Sequence, residues 1–272
     1  GNIINTIAIY TVGNKWIGTK YGISVYNDTT WRSITKTNGL QSNLIYSIVI
    51  DSIGRKWIAN GNSVSLYNDT TFTNYGYSDN LPGAGLLHLN IDKKGVIWGI
   101  GYMGSIVNYK NGKWNIFRSE MADGMLDNSS IISDNSGAIW IALIDSYYGG
   151  LYKITDNSKI MFTKKDGLSS NSVTACAIDS KGDIWYGTKD NGAGKNNGNT
   201  WVNYENVTGV AGNNVKTIAI DSQNNKWFGT WYSGLFKFDG NSWSSYTTTN
   251  GLTDNTINAI AFDKNGIVWI CV

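Results

Sequence analysis

Hydrophobic positions in this chain alternate in short runs and do not recur at helical spacing. Nine residues before each of seven tryptophans stand Ile7, Ile48, Leu89, Ile131, Cys176, Ile218 and Ile260. Seven residues before stand Ile9, Ile50, Ile91, Ser133, Ile178, Ile220 and Phe262. The opposite parity is mostly small, with Ala8, Val49, Ala177, Ala219 and Ala261. Period-two alternation predicts β-strands. A large face backed by a small one suits an inner strand packed between two neighbouring sheets.

The tryptophans themselves, Trp16, Trp57, Trp98, Trp140, Trp185, Trp227 and Trp269, lie 41 to 45 residues apart. That period fits four-stranded propeller blades. Six residues before each stands an Asp (Asp51, Asp92, Asp134, Asp179, Asp221, Asp263), with Tyr10 in the first repeat. Three before stands a Gly, or Asn224 in the sixth. Asp caps turns, and Gly and Asn tolerate positive φ, so Asp-x-x-Gly predicts a tight hairpin with Trp opening the next strand. After Trp16 follow Gly-Thr, a loop, Gly22-Ile-Ser-Val-Tyr26, a turn at Asn27-Asp28 and a strand from Trp31. The outer aromatic recurs as Phe72, Trp114, Trp201 and Trp243, and Asn-Gly-Leu or Asp-Gly-Leu links lead onward at Leu40, Leu168 and Leu252. The expected fold is therefore all-β: a single β-propeller domain over 1–272, with six complete four-stranded antiparallel repeats and the inner two strands of a seventh. In the fifth repeat the third strand reads Gly192-Ala-Gly-Lys-Asn-Asn-Gly-Asn199, which predicts an irregular or degenerate strand.

These columns resemble the two-component regulator propeller repeat, whose consensus runs roughly Asp-x-x-Gly-x-x-Trp-x-Gly-Thr, Gly-Leu-x-x-Tyr, Trp-x-x-Tyr, Asn-Gly-Leu. The resemblance covers nearly the whole chain. It implies a sensor part of a bacterial signalling system, extracytoplasmic (periplasmic or secreted), that recognises a ligand, often a carbohydrate. It implies no catalytic residue set.

Composition narrows the alternatives. Charged residues are 15% with a net charge of +2, which carries no footprint for nucleic acid. No apolar run is long enough for a membrane helix. No basic and apolar leader opens the chain, so no signal peptide is expected. One histidine among 272 residues excludes multi-histidine metal sites. No metal site or other cofactor is expected. Cys176 and Cys271 replace core residues two repeats apart and read as buried free thiols.

The loops joining second to third strands and fourth to next first strands should share one face, at the mouth of the central channel, where function concentrates. The former carry Tyr21, Tyr102, Tyr147, Tyr148, Trp231 and Tyr232. Such rings either pack on the neighbouring blade or stack on the C–H faces of a small-molecule or glycan ligand, with Asn and Asp taking its hydroxyls. His88 falls in a column otherwise small (Thr6, Ser47, Ser130, Ala175, Thr217, Ala259), near the channel. It reads as a buried imidazole or as a ligand contact. An enzyme reading, by comparison with propeller lyases that rely on a His, would have to use it. A protein partner, or self-association through the seventh repeat, is the competing use of such a surface.

Overall fold

The structure is a computed structural model. It describes residues 4–10, 13–101, 104–118, 130–144, 149–155, 158–204 and 214–272. The fold is an all-β propeller of six four-stranded antiparallel sheets and one two-stranded sheet, each built from strands consecutive in sequence. The first sheet runs Ile4–Ile9, Lys15–Thr19, Gly22–Tyr26 and Trp31–Ile34. The sixth runs Val215–Ile220, Lys226–Thr230, Leu235–Phe238 and Trp243–Tyr246. The last pairs Ala259–Phe262 with Val268–Cys271, the two strands expected of a seventh repeat. Among the described residues, helical structure is confined to short 3-10 turns between sheets, such as Lys36–Asn38 and Lys164–Asp166.

Residue contacts divide the chain into two compact units. One holds residues 1–125 with 261–267 and 271; the other holds 126–260 with 268–270 and 272. Within each unit the apolar cores lie between consecutive sheets. In the first unit, Trp16, Ile23 and Val25 of the first sheet pack with Ile45, Ile48 and Ile58 of the second. In the second, Trp140, Ala142 and Leu151 pack with Val173, Cys176 and Tyr186. The small column after each Trp now has a cause. A Cβ added to Gly18 would stand 2.6 Å from Ile45 Cγ2, and one on Gly187 2.3 Å from Val215 Cγ1. The next sheet's first strand occupies that space.

The Asp-x-x-Gly hairpins form as expected, with φ from 65° to 88° at the Gly or Asn position. Each Asp does more than cap the turn. One carboxylate oxygen accepts from the backbone N–H groups two and four residues on, as Asp179 does from Lys181 (2.9 Å) and Asp183 (3.0 Å). The other accepts from the Trp indole: Trp57 to Asp51 (3.2 Å), Trp98 to Asp92 (3.0 Å), Trp140 to Asp134 (2.9 Å), Trp185 to Asp179 (3.1 Å) and Trp227 to Asp221 (2.9 Å). In the first sheet Tyr10 replaces Asp, and the buried Trp16 Nε1 finds no partner among the described residues. Burial alone would raise these carboxyls. Hydrogen bonds from side chains and backbone outweigh it and hold Asp51, Asp134, Asp179 and Asp221 below the usual range.

One expectation needs correction. The weak third strand of the fifth sheet is a regular strand, Ala193–Asn196, paired on both sides. Gly194 lies opposite Tyr186, and a Cβ on it would meet Tyr186 Oη at 2.3 Å. The glycine makes room for a fully buried tyrosine at a position where other sheets carry Ile17, Ile58 or Phe228. Lys195 completes the strand by pairing with Asp183 at 2.8 Å. Both cysteines are free and buried, and desolvation pushes each thiol up to about 12.

Candidate functional site

The second-to-third turns and the inter-sheet links meet at one end of the sheets. Gly61 N–H donates to Leu44 O (2.9 Å), Lys189 N–H to Ser172 O (2.9 Å) and Trp231 N–H to Asn214 O (3.0 Å). In the first unit this end carries an open cavity of about 590 Å³. Gln41, Ser42, Asn62, Asn74, Tyr75 and Asp79 are among its lining residues.

The turns are held by a residue type whose role was not foreseen. Thr19, Thr188 and Thr230 follow the small residue after Trp, and all three are buried. Each hydroxyl donates to the carbonyl that closes the turn (Gly22, 3.0 Å; Gly192, 3.0 Å; Gly234, 2.8 Å). Each also accepts from a backbone N–H inside it. The Gly-Thr pair recurring after Trp is the sequence signal of this clamp.

Among the expected site residues, Tyr21 projects from its clamped turn, 59% exposed, with Lys20 Nζ 5.0 Å from its ring. Tyr102, Tyr147 and Tyr148 lie outside the described residues. Trp231 and Tyr232 lie together in one turn, ring centroids 6.2 Å apart, and Tyr232 is 78% exposed. Among the described residues, the structure thus brings Trp231 and Tyr232 together. His88 pairs with Ile100 across the third sheet, in the column expected for it. It is partly buried, and desolvation pushes its imidazole down to about 4, so it is neutral at pH 7.

The Trp231 turn is braced by the link that leads from the sixth sheet to the last. Thr256 Oγ1 donates to Trp231 O at 2.9 Å, and Ile257 N–H donates to Thr230 O at 2.8 Å. Lys216 Nζ stands 3.7 Å from the Trp231 ring centroid and donates to Asn258 Oδ1 at 2.6 Å. Lys216 occupies a β-bulge: the pairing of its strand slips between Val215 and Thr217. A bulge re-aims its extra side chain. The same slip falls at Asn5, Tyr46, Leu87 and Thr174 in the corresponding position of their sheets. These bulge residues differ from sheet to sheet, unlike the Trp, Asp and Gly columns.

No curated protein matches this chain by sequence. The two component regulator propeller family matches residues 167–190 and 251–272. Among solved structures, the extracellular domain of a one component system from B. thetaiotaomicron aligns with a TM-score of 0.79 at 18% identity, over 100% of this chain and 37% of that one. This chain thus spans well under half the length of that relative. Virginiamycin B lyase from Staphylococcus aureus aligns at 0.78 and 16% identity, over 99% and 92% of the two chains. PorZ, a surface component of the type-IX secretion system of Porphyromonas gingivalis, aligns at 0.74 and 19% identity, over 97% and 44%. At such identities the likeness is one of fold, shared by sensors, enzymes and secretion components alike. No helix among the described residues is long and apolar enough to cross a membrane. The repeat columns run along the chain, and two stretches of it, residues 167–190 and 251–272, match the model of the two component regulator propeller family.

Proposed function

We propose that this chain is a non-catalytic recognition domain of an extracytoplasmic sensor, and that the loop end of its sheets binds a saccharide. The observation that carries this reading is the Trp231–Tyr232 turn. An exposed ring stands there on a backbone fixed at both sides, with the Asn258 amide holding the lysine that faces Trp231. A rigid aromatic presents an apolar face at low entropic cost, and amides supply directional partners for hydroxyls. The polar cavity at the same end of the second sheet supports the same ligand class. The extracellular setting of the B. thetaiotaomicron relative supports the location. The neutral, partly buried His88 fits a scaffold role better than that of a general base.

A thermal-shift panel of oligosaccharides tests the reading. A ligand at a hundredfold excess over its Kd stabilises the folded state by about 2.7 kcal/mol. The expected result is a rise in Tm for one saccharide class in the wild type that Tyr232→Ala abolishes. No shift across the panel would overturn the saccharide reading and favour a protein partner for these loops.

A further inference from the structure

We infer that the ligand of the Trp231 turn is an acidic saccharide, whose carboxylate is taken by Lys216. The inference rests on the recognition reading above and adds the charge of the ligand.

Lys216 is half-buried, and among the described residues no carboxylate pairs with it. Desolvation lowers its pKa, and no acidic neighbour acts to restore it. The three fully buried lysines among the described residues each have a carboxylate partner. Lys15 pairs with Asp28, Lys56 with Asp69 and Lys226 with Asp179. Taking a cation out of water without a counter-charge is unfavourable, and the carboxylate of a bound ligand would supply one. An ammonium has three N–H donors. Asn258 Oδ1 takes one, and the Trp231 ring faces the charge at 3.7 Å. A third donor remains for a carboxylate oxygen.

The surroundings select a sugar acid over a simple anion. Asn214 fixes the turn, its backbone carbonyl accepting from Trp231 N–H. Tyr232 next to Trp231 gives the ring face that a pyranose C–H surface stacks on. The bulge lets the lysine reach the ring without breaking the sheet, because the residues on either side of it, Val215 and Thr217, keep their pairing with Thr230 and Gly229.

The test is calorimetric titration of the protein with trigalacturonate, its methyl ester, maltotriose and tetraglutamate. The expected result is binding of trigalacturonate weakened at least about tenfold by methyl esterification, and similarly by Lys216→Gln, with Lys216→Arg retaining most of it. The ester arm needs no variant and stands even if Lys216→Gln fails to fold. Equal binding of acid and ester, or of the wild type and Lys216→Gln, would overturn the assignment of the charge. Maltotriose binding as tightly as trigalacturonate would do the same while leaving saccharide recognition intact. Binding of neither saccharide would overturn both readings, and Lys216-dependent binding of tetraglutamate alone would replace the sugar acid with an acidic peptide.

Discussion

At the scale of single residues, the repeat is held by a carboxylate that serves three donors at once. Asp179 accepts from two backbone N–H groups and from the Trp185 indole, and Lys226 Nζ lies 3.2 Å away, from the next sheet's second strand. Lys226 also stands 5.1 Å from the Trp185 ring. Asp221 serves the same three kinds of donor and adds the Asn225 amide, which is neutral. Removing a carboxylate that partners a buried cation is more damaging than removing one among neutral donors. Asp179→Ala is therefore expected to destabilise by about 3–5 kcal/mol. Asp221→Ala should destabilise by about 1–3 kcal/mol. Urea denaturation of the two variants checks the order. Equal losses would mean that Lys226 draws its stability from the Trp185 ring and not from the ion pair.

At the scale of the element, strands tolerate poor composition when their neighbours compensate. The stretch Ala193–Asn196 has low strand propensity, yet Gly194 is complementary to Tyr186 across the pair. Tyr186 Oη in turn accepts from Ser169 N–H at 3.1 Å and donates to Asn203. Gly194→Ala drives a methyl group into a ring that cannot move and should destabilise by about 1–3 kcal/mol. Adding Tyr186→Ile should return part of that loss, so the double variant is more stable than the sum of the two singles. Strict additivity in chemical denaturation would refute the coupling. This is also where reading the chain as text reached its limit. Trp, Asp and Gly recur because each sheet must meet the same turn and the same neighbour, so their columns announce the strands, the hairpins and the two-stranded last sheet. The fit of Gly194 against Tyr186 is a matter of register and not of sequence. It therefore looks like a defect until the pairing is known.

At the scale of the whole molecule, an unvarying scaffold carries positions that vary, and the candidate site follows that division. The aromatic turn residues Tyr21, Trp231 and Tyr232 were legible because they interrupt a loop column. Lys216 and Asn258 were not, because they sit inside runs that read as plain strand, and only the register slip shows that the Lys216 position is a bulge. Protonation tests the scaffold as a unit, since the chain has one histidine. The folded state holds His88 at about 4 against an ordinary value of 6.5, because burial disfavours its cation. As pH falls through 6.5 the unfolded chain takes a proton that the folded chain refuses until about 4, so stability drops across that window. The limiting slope for one group is about 1.4 kcal/mol per pH unit, and partial exposure of the ring brings the expected loss between pH 7 and 4.5 to about 1–2 kcal/mol. The lowered carboxyls of Asp51, Asp134, Asp179 and Asp221 act in a separate window. Their stabilisation is complete above the ordinary carboxylate value of 3.8 and is lost as pH falls below it. Urea denaturation from pH 7 to 3 should then show two descents, the upper absent in His88→Asn and the lower unchanged. An upper descent that survives in His88→Asn would assign it to another group and leave the lowered pKa of His88 without consequence for the fold.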